Sequence, residues 1–262
     1  MISERSRLLP RESRGIRLNG STKFGLIMIL LSQALERISF YSIVGNLVLF
    51  LNLNPLDWMS YDAATILFLF MGVSYASSIF GGWIADSFLG KYKTIILFMI
   101  IYLIGYSLLP ILAFNNGDVI EGSVFHCVRT SDQNGTYTTL KPPKAIKHIW
   151  QESCYTFVMV AIVVIGFASG CVKSCMAPFG ADQVRQYGSE FMIFYFNWFY
   201  WSVNIGGLIA LCAVAYVQQE VNFELGYTIP FACLGLSLLC FLIGKQTAYQ
   251  KLMFNFNFKD IK

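Results

Sequence analysis

The sequence predicts an all-α, polytopic membrane protein, a bundle of six transmembrane helices. Three observations predict it. Of 262 residues, 56% are hydrophobic and 13% charged, with a mean hydropathy of +0.57, whereas roughly a quarter of the residues in a soluble domain are charged. Six separate apolar runs are each long enough to cross a hydrocarbon core of ~30 Å, which takes about 20 helical residues. The Lys and Arg residues also alternate between the ends of those runs as orientation in a membrane requires.

The runs extend from about Phe24 to Leu51, Ala63 to Ile84, Thr94 to Phe114, Phe157 to Pro178, Phe191 to Val217 and Tyr227 to Gly244. Lipid leaves backbone N–H and C=O groups unsatisfied, so each run is expected to be helical; runs of this length are not barrel strands. This divides the chain into a cytosolic tail at 1–23, a six-span bundle at 24–244 with a lumenal loop at about 115–153, and a cytosolic tail at 245–262.

Arg5, Arg7, Arg11, Arg14, Arg17 and Lys23 precede the first span. Lys91 and Lys93 follow the second, Arg185 the fourth, and Lys245, Lys251, Lys259 and Lys262 the sixth. The positive-inside rule makes these segments cytosolic, so both termini face the cytosol. The first and fifth loops carry Asp57, Asp62, Glu220 and Glu224 on the opposite side, with no Lys or Arg. The long third loop holds Arg129, Lys141, Lys144 and Lys147, but loops of this length translocate with less regard to charge. It also holds Asn134-Gly135-Thr136, an N-glycosylation acceptor, and Cys127 and Cys154, which an oxidising lumen would let pair.

The first run begins after some twenty polar residues and has full span length, so it is expected to be the targeting signal, without a cleavable leader. In the tail, Glu4, Leu8 and Leu9 match an acidic dileucine sorting signal, which points to endosomes or lysosomes, with the plasma membrane as the alternative. Nucleic-acid binding and soluble enzyme chemistry are excluded by composition. Cys171, Cys175, Cys212, Cys233 and Cys240 lie in apolar stretches without the spacing of a metal site and read as small packing residues. His126 and His148 fall in the polar loop. No metal and no cofactor are expected.

Ionisable residues inside spans are expensive and mark functional sites by default. Here they are Glu36 and Arg37 in the first span and Lys173 in the fourth. Gln33, Glu36, Arg37, Phe40 and Tyr41 fall at i, i+3, i+4, i+7 and i+8, one helical face that must turn to the bundle interior or a water-filled cavity. A purely structural pairing of Glu36 with Arg37 or Lys173 still leaves one cation unbalanced, which invites an anionic group. Lys173 is also near enough to the cytosolic end to snorkel. Gly166 and Gly170 form a small-xxx-small pattern that suits close helix packing.

The stretch Gln33-Ala34-Leu35-Glu36-Arg37-Ile38-Ser39-Phe40-Tyr41 resembles the E-x-x-E-R-F-x-Y-Y motif of the proton-coupled oligopeptide transporter family, within the major facilitator superfamily. Gly81 to Asp86 with Gly90-Lys91-Tyr92-Lys93 resembles the superfamily's loop signature, in which Gly82, Asp86, Gly90 and Lys91 are the marked positions. Lys173 with Phe179 to Gln183, and Phe196 to Asn204, resemble the family's fourth- and fifth-span signatures. The runs Gly45 to Leu51 and Phe196 through Gln218-Gln219 to Gly226-Tyr227 most resemble the peptide/histidine transporter branch, whose members often work in endolysosomes.

The resemblance covers the first half of the family's twelve-span architecture. It implies a substrate site near the midplane between two six-helix halves. Arg37 and Lys173 would hold a peptide carboxylate, Tyr41, Tyr75 and Asn204 would form hydrogen-bonding walls, and Glu36 would be the protonatable group. Gln33 stands where the family has its first Glu, and an amide neither carries a proton nor neutralises Lys173. Phe40 replaces the motif's first Tyr, and Ile38 its Phe. The implied function is proton-coupled transport of small peptides or histidine, with protons as the coupling ion, membrane lipid around the bundle, and a second half or oligomeric partner opposite it. The rival is a non-transporting six-span scaffold or regulator that binds a full-length relative or a cytosolic adaptor.

Overall fold

The computed structural model describes residues 20–52, 58–113 and 144–259, with side chains described over 20–52, 58–113 and 156–244. Over these residues the chain is helical apart from short connections. The helices are α1 (Gly20–Asn52), α2 (Ser60–Ile84), α3 (Gly90–Ala113), α4 (Lys144–Val184), α5 (Ser189–Ile209) and α6 (Phe223–Lys259). α4 starts inside the predicted third loop, and α6 continues past the predicted end of the sixth span.

Five uninterrupted helical stretches among the described residues are long and apolar enough to span a bilayer. One of them, Ser60–Ala113, is 54 residues long and contains two crossings. α2 runs alongside α4 in the same direction: Ser74 Oγ lies 3.1 Å from Ser169 Oγ, and Cys175 Sγ donates to the Gly81 carbonyl. α3 runs against α4, with Lys91 bonded to Asp182, the Tyr92 ring 6.1 Å from Phe179 and the Phe98 ring 5.9 Å from Phe167. The chain therefore reverses between α2 and α3. It does so through a π-helical turn at Ala85–Leu89 and Gly90, whose φ of 73° is a left-handed conformation that favours glycine.

The other directions follow from contacts of the same kind. α6 runs against α1, through Ser32–Ser237, Ser39 to the Pro230 carbonyl, and Phe50 on Tyr227. α5 runs with α1, from Leu26 and Leu30 packed by Tyr195 at one end to the Asn46–Gln218 bond at the other. α4 runs against α1, since Gly25 adjoins Gln183 while Phe40 adjoins Lys173. Successive helices thus alternate in direction, and the six crossings form the transmembrane bundle.

Apolar packing without a hydrophobic driving force depends on close approach. On α4, a Cβ at Gly166 would stand 3.0 Å from the Phe70 carbonyl oxygen, and one at Gly170 would stand 2.9 Å from the Ser74 carbonyl carbon. The small-xxx-small pattern is thus the seam along which α2 and α4 meet. Cys171 and Cys175 are buried on it, their thiols 3.4 Å from the Ser77 and Gly81 carbonyls, as packing residues.

Candidate functional site

α1 is 33 residues long, and Glu36 and Arg37 stand at its middle, about 24 Å from either end at 1.5 Å per residue. The predicted stripe does turn inward: Gln33, Glu36, Arg37 and Phe40 are all buried, and Tyr41 is half-buried. Neighbours in a helix sequence do not face each other, yet Arg37 Nε donates to Glu36 Oε2 at 2.5 Å and the second guanidinium nitrogen donates to Oε1 at 2.7 Å. Both side chains curl around the helix to meet, because a lone charge at this depth costs several kcal/mol. The pair is sealed, at 0% and 2% exposure. Of the two pairings the sequence leaves open for Glu36, the structure adopts Arg37.

Lys173 therefore has no carboxylate partner among the described residues. Its ammonium lies over aromatic faces instead, 4.3 Å from the Tyr75 ring centroid and 5.6 Å from that of Phe40. The Phe40 ring also carries the Arg37 guanidinium at 4.8 Å, so one ring serves two cations. Glu36 is within Coulombic reach of Lys173 without bonding to it. Tyr75 is 55% exposed and Lys173 partly so. The ammonium thus belongs to an open wall and the ion pair to the interior behind it.

Of the remaining predicted residues, Tyr41 adjoins this centre and the others stand apart from it or on the same helical stripe. The Tyr41 ring meets Phe40 edge-on at 5.4 Å and packs on Gly207 of α5. Asn204 is exposed, and its amide donates 2.7 Å to the Tyr200 carbonyl on its own helix. Gln33 is buried with its Oε1 unpartnered. At the predicted cytosolic end, Lys91 bridges to Asp182 at 2.5 Å, while Asp86 sits exposed on the π-helical turn. Gly82 has open space where a Cβ would stand; its neighbour Gly81 is the tightly packed one, against Cys171. Glu4, Leu8, Leu9, Asn134 and Cys127 lie outside the described residues, as do the side chains of Cys154 and His148.

Two polar features carry no role in the sequence reading. Tyr102 of α3 is buried beside the ion pair with its hydroxyl unpartnered, and Tyr106 one turn on bonds to Ser42 at 2.8 Å. Further along, Asn46 Nδ2 donates to Gln218 Oε1 at 2.9 Å, and Gln219 donates to Asn46 Oδ1 at 2.8 Å. An amide inside an apolar run was the available signal for Asn46; Gln218 follows the end of the fifth run and carries no such signal. Nothing in the sequence singles out Tyr102 from the other tyrosines.

Comparison with known proteins gives consistent matches. Residues 92–259 match the sequence model of the POT family. Solute carrier family 15 member 3 of Mus musculus is 33% identical over 247 residues, covering 92% of this chain and 40% of that protein. Solute carrier family 15 member 5 of Homo sapiens is 28% identical over 228 residues, covering 87% and 35%. The chain thus spans about two fifths of the length of the curated relatives it matches. Among solved structures, the crystal structure of an auto-inhibited POT family peptide transporter matches with a TM-score of 0.65 and 25% identity, over 85% of this chain and 37% of that one. The structure of the POT family transporter PepTSo matches with a TM-score of 0.64 and 23% identity.

Proposed function

The chain belongs to the POT family, and from that membership we propose that its bundle forms one wall of a pathway that carries small peptides or histidine across a membrane with protons. One observation carries this reading: a sealed carboxylate–guanidinium pair at mid-membrane stands beside an ammonium on an open wall with no carboxylate to neutralise it. The solved relative matched at 25% identity is a peptide transporter, and a peptide's terminal carboxylate is the anion such a wall would take. Lys173 holds that carboxylate, and Tyr41, Tyr75 and Asn204 line its approach. Protonation of Glu36 loosens its hold on Arg37, which then turns to the substrate; this exchange is the coupling.

The membrane we assign is endolysosomal, on the strength of Glu4, Leu8 and Leu9 in the tail. Protons then flow outward with the cargo. The test of the substrate reading is direct binding of a labelled dipeptide to the purified chain in nanodiscs. Lys173→Gln is expected to lower affinity about tenfold or more, the loss of one charge-assisted contact. Unchanged affinity in that variant would remove the peptide site. Leu8→Ala with Leu9→Ala is expected to move the protein to the cell surface, and an unchanged distribution in imaged cells would remove the sorting assignment.

A further inference from the structure

We propose that Phe40 is a positioning residue: its ring, shared by Arg37 and Lys173, keeps the ammonium away from Glu36 and aimed at the open wall. The proposal rests on the peptide-site reading above and goes further by naming what sets the specificity of Lys173 for a carboxylate.

The geometry argues it in three steps. A lysine within Coulombic reach of the buried carboxylate would ordinarily collapse onto it, because an unpaired cation in the membrane is costly. Glu36 is occupied by Arg37 through two hydrogen bonds, and Lys173 instead sits 5.6 Å from the Phe40 centroid and 4.3 Å from that of Tyr75. A cation within about 6 Å of a ring face is stabilised by the ring quadrupole, more strongly where water is excluded. Phe40 is 2% exposed and fixed in place by Phe70 at 5.2 Å and Tyr41 at 5.4 Å, so its ring cannot swing away. It therefore offers a fixed, uncharged ring to both cations, the partition that the proposal assigns between the ion pair and the ammonium. A ring holds a cation without neutralising it, so Lys173 keeps its charge for an incoming anion.

The charged and titratable groups around this cluster are Glu36, Arg37 and Tyr41 on α1, Tyr75 on α2 and Tyr102 on α3. Among the residues with described side chains the other carboxylates lie at helix ends or in turns: Asp62, Glu190 and Glu224 in the first turns of α2, α5 and α6, Asp86 and Glu220 in the π-helical turns Ala85–Leu89 and Val217–Val221, and Asp182 paired with Lys91. Glu36 is thus the acid that competes for Lys173 once the partition is removed.

The test uses the 262-residue chain in nanodiscs, with alanyl-alanine and its C-terminal amide as probes. Wild type is expected to prefer the free carboxylate at neutral pH. Phe40→Leu is expected to cut that preference roughly fivefold to thirtyfold. Phe40→Tyr keeps the ring and is expected to restore the preference at neutral pH. A structural defect alone would weaken both probes alike.

A second measurement needs no ligand. With lysines methylated by ¹³C reagent, the Lys173 signal, assigned by its loss in Lys173→Gln, is expected to carry an upfield ring-current shift that Phe40→Leu reduces. Absence of that shift in wild type overturns the proposal. If wild type binds neither probe, the peptide-site reading fails, and the proposal with it. If wild type prefers the free carboxylate and Phe40→Leu keeps that preference unchanged, the site reading stands and the positioning role of Phe40 falls.

Discussion

Buried charge sets the behaviour of single residues in this bundle. Glu36 and Arg37 are mutually satisfied inside the bundle, away from water, so removing one partner strands the other. Glu36→Gln is expected to destabilise the fold by about 3–5 kcal/mol, the cost of an uncompensated buried charge. Glu36→Gln combined with Arg37→Met removes both charges and is expected to recover most of that loss; thermal unfolding midpoints in one detergent compare the two. A double variant no more stable than the single one would mean that packing, not charge, holds this region. The stripe itself was legible, because three ionisable residues in apolar runs and a period of 3.6 admit few placements. The choice of Arg37 over Lys173 as partner of Glu36 was not. It depends on where the Lys173 ammonium comes to rest against α1, and an isolated motif says nothing of what crosses from α4.

The helices are held at one end by a device that spans three of them. Pro230 has no N–H, so the Gly226 carbonyl four residues earlier in α6 loses its helical partner. Gln218 Nε2 of the α5 segment supplies one at 3.2 Å, and the same side chain accepts from Asn46 of α1. Gly226 permits the approach, since a Cβ there would stand 2.9 Å from the Gln218 Cα. Gln218 is carried to this position by two π-helical turns, Ala210–Val214 and Val217–Val221, after which Asn222 caps α6 by accepting from the Leu225 N–H at 2.7 Å. Gln218→Leu leaves the Gly226 carbonyl and the Asn46 amide without this partner, at about 1–3 kcal/mol for each buried group. The expected result is a lowered unfolding midpoint, with faster amide exchange confined to the first turns of α6. Exchange that rises evenly along the whole helix would argue against a local clasp. Pro230 and the amides are plain in the sequence, but π-helical turns have no simple sequence signature, and they decide which way Gln218 points.

At the scale of the whole molecule, hydropathy and the Lys and Arg distribution were enough to give six alternating crossings, because bilayer thickness fixes element length. The reversal falls where the sequence breaks the apolar run with Lys91 and Lys93, but its form, a π-helical turn at Ala85–Leu89 ending on Gly90 with a left-handed φ inside one continuous helical stretch, was the less obvious part. The bundle presents Lys173 and Tyr75 together on an open side, while Glu36 and Arg37 sit sealed behind it. Each contact to a peptide must then come from one wall. Losing half of a set of contacts removes several kcal/mol, and each 1.4 kcal/mol is tenfold, so the 262-residue chain is expected to bind dipeptide roughly a hundredfold or more weaker than a two-walled relative. Alternating access further requires one six-helix unit to rock against another. Proteoliposomes holding this chain, free of any full-length transporter, are therefore expected to give no proton-driven dipeptide uptake. Joined to the second six helices of a relative, the same bundle is expected to transport, and Gln33→Glu in that chimera to steepen the dependence of uptake on the proton gradient. The added carboxylate would enter a buried stripe whose amide oxygen now lacks a partner, and it would supply a second protonatable group near the ion pair. Accumulation of dipeptide against a gradient by the 262-residue chain, on acidifying the lumenal side, would show that one wall suffices and would overturn the argument.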